Sequence, residues 1–150
     1  MWVVLDVFKH AGAGHLMANI MGLVWFCPRL LRIVGMLRLI SLCAVSQAVG
    51  VAAQSIVDCL LGGNGAPIGL SGIVCGCMAG TAWVVPAKGM RLSVLLFGTF
   101  SAVLAFVASK SSTAHAAHLG GMLGGAATAW AIQRVSPGRR GAPRCKVRQE

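Results

Sequence analysis

Negative charge is almost absent from this chain of 150 residues, whose only acids are Asp6, Asp58 and Glu150. Charged residues of both signs make up 11% of it, against about 25% in an ordinary soluble domain. So little charge cannot wet the whole surface of a soluble globule, and that class is excluded. The cysteines, at 27, 43, 59, 75, 77 and 145, include no CxxC pair. Most lie in or near apolar runs and read as small hydrophobes, which leaves no disulfide framework. The stretch before Gly14 is short and amphipathic. It lacks the charged start, apolar run and cleavage site of a signal peptide.

What the chain does have is apolar sequence, at 57% hydrophobic residues. Five apolar spans approach the roughly 20 residues that a helix needs to cross a bilayer. They run over about 14–31, 39–61, 67–85, 92–108 and 113–135. Short breaks rich in Pro, Gly or charge separate them. The fold expected is an all-α integral membrane protein, a polytopic bundle of about five transmembrane helices.

The basic residues give the bundle a direction. Eleven fall on one side of alternating spans: Arg29, Arg32, Arg38, Lys88, Arg91, Arg134, Arg139, Arg140, Arg144, Lys146 and Arg148. Only Lys9 and Lys110 fall on the other. By the positive-inside rule the C-terminus is cytoplasmic. Residues 1–135 then form the membrane domain and 136–150 a basic cytoplasmic tail. With net charge +10, the tail reads as an anchor on anionic lipid rather than a nucleic-acid binder. Trp25, Trp83 and Trp130 fall near the inner ends of their spans, as an aromatic belt requires.

The first, third and fifth spans run the same way through the membrane. His15 and Asn19 lie at the outer end of the first, Ser71 of the third, and His115 and His118 of the fifth. About five residues into a helix is roughly 7–8 Å below its start. Polar groups at that depth are costly unless partnered. One buried serine is ordinary packing; several polar groups converging at one level point to a site. Gly72, Gly76 and Gly80 form a smooth stripe on the third span. On the fifth, Gly121 and Gly125 share a face with His118, and Gly120 and Gly124 form the next row. Small residues at this spacing let backbones approach closely. Packing the two stripes together carries Ser71 towards His118, a nucleophile towards a base.

Three segments carry a family resemblance. "HAGAGHLMAN" holds His10, His15 and Asn19; "GLSG" spans Gly69 to Gly72 around Ser71; "AHLGGMLGG" holds His118, Gly121 and Gly125. In this order and on these spans they resemble the rhomboid intramembrane serine proteases, from Trp2 to about Val135. The resemblance implies a Ser71–His118 dyad that needs no third acid and no cofactor. It implies an oxyanion hole from His15, Asn19 and the Ser71 N–H. His10, Gly69, Gly72, Gly121 and Gly125 become structural neighbours of the site. Transmembrane proteins would be the substrates, met within the bilayer, with no nucleic acid involved. The family's core has six helices, and the first has no counterpart here. Met1 falls within the loop that follows it, where the family's Trp-Arg pair reads Trp2-Val3.

The resemblance also implies that Ser71 begins its helix, so that free N–H groups and the positive dipole end face the site. Residues 65–69 are expected to dip into the protein as a loop lining a wet cavity. Three other readings compete. One is an inactive rhomboid relative that binds membrane clients. Another is a zinc site made by His115 and His118 with His10 and His15, which lacks a carboxylate or Cys at that depth. The last is a channel or transporter fragment, for which no ion-coordinating motif is present.

Overall fold

The computed structural model describes residues 13–62, 69–85, 88–107 and 114–135. Among these residues there are five helices and no strand. They are α1 (Ala13–Val34), α2 (Met36–Leu61), α3 (Ser71–Val84), α4 (Lys88–Val107) and α5 (His115–Val135). A segment in lipid has no water for its N–H and C=O groups. The helix answers this by pairing them within the segment itself. By length and apolar composition α1 and α2 can each cross a bilayer.

The expected break between the first two spans shrinks to one residue. Gly35 sits at φ 84°, a left-handed conformation that costs glycine little. Its N–H bonds to the Leu31 carbonyl at 3.0 Å, and its carbonyl accepts from the Leu39 N–H at 3.0 Å. Gly35 therefore closes one helix and opens the next. Pro28 lies inside α1 and does not end it. Arg32 and Arg38 do not interrupt the helices either, since long basic side chains can carry their charge out to the interface. At the far end of α2, Gly62 turns left-handed at φ 68° and donates its N–H to the Asp58 carbonyl.

The third element differs from expectation in a way that matters. It begins at Ser71, the expected helix start, and not at Pro67 where the apolar span opens, and has 14 residues. At 1.5 Å per residue that is roughly 21 Å, short of a hydrocarbon core of about 30 Å. This short helix is the centre of the bundle, in contact with all four others. Ser71, Gly72, Cys75, Gly76, Cys77, Ala79, Gly80, Thr81 and Ala82 are all buried on it.

Close contacts fix the directions. A Cβ added at Gly72 would meet the Ala117 carbonyl at 3.8 Å, and one at Gly80 the Ala129 Cβ at 3.8 Å. The register rises together, so α3 and α5 are parallel. Against α2 it runs the other way: Gly72 faces Gln47, Gly76 faces Ser46 and Gly80 faces Leu42. Gly22 against Val74 and Cys27 against Cys77 set α1 parallel to α3. The two glycine rows of α5 part company. Gly121 and Gly125 lie on the backbone of Gly72 and Gly76 in α3, where a Cβ would overlap a carbonyl oxygen. Gly120 and Gly124 lie on α2, with a Cβ at Gly120 only 2.7 Å from the Val49 carbonyl.

The interior mixes small and polar residues with a few large apolar ones, while the outside is rich in large apolar side chains. Asn19, Ser46, Gln54, Ser71 and Thr81 are buried; Val24, Leu37, Leu60, Leu95 and Phe100 are exposed. An outside with so many large apolar side chains departs from a soluble protein and suits a surface solvated by lipid. Trp25, Trp83 and Trp130 are exposed as well. Arg29 lies 4.1 Å over the Trp25 ring and Arg134 5.2 Å over the Trp130 ring.

Candidate active site

The site is built from the start of α3 upward. Ser71 is the first residue of the helix and 5% exposed. The first amide to bond back along the chain is that of Val74, to the Leu70 carbonyl at 3.0 Å. The N–H groups of Ser71, Gly72 and Ile73 therefore have no intrahelical acceptor, as at any helix start. They surround the serine with donors and the positive end of a dipole. Gly69, just before, is buried. The rest of the expected dipping loop, 65–68, lies outside the described residues, as does His10.

Helix α5 supplies the histidine. Gly121 lies against Gly72, and Gly72 also faces the Ala117 carbonyl. The backbone that follows Ser71 is thus in contact with the backbone on both sides of His118. The His118 ring is half-buried, with its centroid 6.0 Å from Phe97 and 5.9 Å from His115. Phe97 belongs to α4, so α4 covers one side of the histidine. Among the described residues no hydrogen bond joins Ser71 to His118.

Helix α1 brings the third group. Asn19 is 4% exposed, and its Nδ2 lies 3.4 Å from Nε2 of His15 one turn earlier. His115 lies beside His118, and Gly22, one turn past Asn19, packs on Val74, one turn past Ser71. So Ser71, Gly72, His118, Gly121 and His15 with Asn19 gather at one end of the three parallel helices. Gly125 lies one turn deeper, against Gly76.

Helix α2 adds residues that the sequence did not single out. Gln54 is 4% exposed. Its Nε2 donates to Asp58 Oδ1 at 2.9 Å, and its Oε1 accepts from the Ala117 N–H at 3.3 Å. Two turns away, Gln47 Nε2 donates to the Gly69 carbonyl at 3.5 Å. One signal was available: two glutamines seven apart on an otherwise apolar helix share a face.

The thiols stand apart from this end. Cys77 lies 3.8 Å from both Cys27 and Cys43, sulfur to sulfur, as free thiols. They pack with Leu30, Val34, Leu39, Leu42 and Ala129 in the apolar core nearer the arginines. Among the described residues no three His, Cys, Asp or Glu side chains are placed to hold a metal ion.

Neither a curated protein nor a solved structure matches the chain. The family model described as a rhomboid domain does match, over residues 1–135. That span contains all five helices and every residue gathered at the end of α1, α3 and α5. The chain belongs to the rhomboid family, a polytopic all-helical membrane fold.

Proposed function

We propose that this protein is an intramembrane serine endopeptidase acting on transmembrane segments of other membrane proteins. The observation that carries the reading is the contact of Gly72 with Ala117 and Gly121, which sets the start of α3 against the start of α5. In the reaction, Ser71 Oγ attacks the carbonyl carbon of the scissile peptide while His118 takes its proton. The carbonyl π electrons move onto oxygen. That oxyanion is met by the Ser71 N–H and by the side chains of His15 and Asn19. The intermediate collapses as the C–N bond breaks, and His118 returns the proton to the departing amine. Water, deprotonated by His118, then attacks the acyl-serine ester, and as the C–O bond breaks His118 returns the proton to Ser71 Oγ. No cofactor enters any of these steps.

In this reading the chain crosses the membrane several times, with the basic tail of residues 136–150 in the cytoplasm against anionic lipid. Its partners are lipid and transmembrane substrates, not nucleic acid. The test is labelling of the purified protein by a fluorophosphonate probe in detergent and in bilayers, beside cleavage of a model transmembrane substrate. We expect labelling at Ser71 and its loss, with cleavage, in Ser71→Ala and His118→Ala proteins that remain folded. Cleavage retained by Ser71→Ala rules out serine catalysis. A folded wild-type protein that neither labels nor cleaves, but captures a transmembrane client, favours the non-cutting relative.

A further inference from the structure

The buried polar groups of α2 are not used by the dyad mechanism, yet they face both helices that carry it. Gln54 is buried and joins α2 to α5, the helix that carries His118. Its amide N–H is held by Asp58 Oδ1 at 2.9 Å, four residues along the same helix. This leaves its carbonyl oxygen a fixed direction, and that oxygen accepts the Ala117 N–H at 3.3 Å. Ala117 is the third residue of α5, so its N–H is one of those with no intrahelical acceptor. The next residue is His118.

We propose that Gln54, oriented by Asp58, is a positioning residue that fixes the start of α5 and so the place of His118 relative to Ser71. The proposal rests on the serine-protease reading for its consequence in catalysis, but the geometry it describes does not. A helix start is the part of a helix most free to fray, since its amides have no partners within the helix. Here one of those amides is tied, across 63 positions of sequence, to the helix that also touches the nucleophile segment. Gln47 makes the weaker tie on that side, to the Gly69 carbonyl at 3.5 Å. The helix packing is left to the glycines. At Gly120 and Gly124 the α5 backbone rests on α2, and at the first turn Gly50 lies against the Ala117 carbonyl, 2.8 Å from an added Cβ; this packing places the turn, and the Gln54 bond holds its free amide.

The experiment compares wild type with Gln54→Leu, Asp58→Asn and a double variant that combines Gln54→Glu with Asp58→Asn. Leucine keeps the bulk and loses both hydrogen bonds. In the double variant the new amide at position 58 would donate to the new carboxylate at position 54, which would also accept the Ala117 N–H. The bonds and the total charge are restored with the roles exchanged. Each protein is assayed well below its melting temperature. We expect Gln54→Leu to lower kcat and the rate of fluorophosphonate labelling ~10–100-fold with KM little changed, since small displacements of catalytic groups cost about this much. The double variant should recover most of the rate. Amide hydrogen exchange should rise in residues 114–121 of Gln54→Leu and not in the thiol core.

Equal kcat in Gln54→Leu and wild type overturns the proposal while leaving the protease reading intact. So does a rate that falls only in proportion to a melted fraction. If wild type neither labels nor cleaves, the protease reading fails. Hydrogen exchange then decides the tie by itself: unchanged protection of 114–121 in Gln54→Leu overturns it.

Discussion

In the proposed mechanism Asn19 is a buried side chain with a chemical role. An amide with no partner in an apolar interior costs free energy, and Asn19 is 4% exposed with His15 as its neighbour at 3.4 Å. As an oxyanion donor it would find its best partner only when charge develops on the substrate. Removing one such donor costs about 2.7–4 kcal/mol of transition-state stabilisation. We therefore expect Asn19→Ala to lower kcat by roughly 10²–10³. Its melting temperature should change little, because its partner His15 lies in the first turns of α1. Steady-state kinetics of substrate cleavage, together with a melting curve, checks this. Unchanged kcat in a folded variant removes Asn19 from the oxyanion hole.

Between helices, the paired glycine rows make a sharper claim than stability alone. Gly121 and Gly125 touch α3 through its backbone, and Gly124 touches α2 at the Ser46 Cα, 3.1 Å from an added Cβ. At Gly121 the obstacle is the Gly72 carbonyl itself, which cannot move without carrying Ser71. Gly121→Ala should then reduce activity more than Gly124→Ala for equal loss of stability. Backbone overlap of this kind falls within the roughly 1–3 kcal/mol typical of overpacking. Parallel measurement of melting temperature and kcat for the two variants tests it. Equal activity at equal stability would mean that the α3–α5 contact does not set the site. The two α5 rows and the helix start at Ser71 were legible in the sequence, because small-residue spacing and a Gly-Leu-Ser-Gly step leave a local pattern. The single-residue link at Gly35 was not, since Arg32 and Arg38 look like a loop but behave as helix residues with interfacial heads. Nor was the tie from Gln54 to Ala117. Gln47 and Gln54 share a helix face, but their spacing names no partner, and that of Gln54 is a backbone amide 63 residues away.

Across the bundle, the helix directions turn a count of charges into an orientation. Since α1, α3 and α5 are parallel and α2 opposes them, one end of the bundle holds the ends of α1, α3 and α5 and the start of α2. Arg29, Arg32, Arg38 and Arg134 belong to that end. Lys88 and Arg91 join them at the start of α4, where Arg91 Nε donates to the Ala82 carbonyl near the end of α3 at 3.4 Å. Every Lys and Arg among the described residues is therefore at one end, while Asp58, His15, His115 and His118 lie towards the other. Basic residues close to membrane-spanning helices are retained in the cytoplasm, and acidic residues contribute little to the choice. The basic end should face the cytoplasm, and the Ser71–His118 end should face away. A reporter that is active only in the cytoplasm, fused after Glu150, should be active; one that is active only across the membrane should be silent. The opposite pattern would invert the bundle and place the proposed site near the cytoplasmic face. A graded version is stronger. Neutralising Arg29, Arg32 and Arg38 together leaves the basic tail as the main determinant, so the reporter should keep its side. Neutralising Arg134 and the tail's Arg139, Arg140, Arg144, Lys146 and Arg148 as well should yield mixed orientation. A single unchanged orientation in that last variant would mean that packing of the helices, and not charge, decides which way the protein lies.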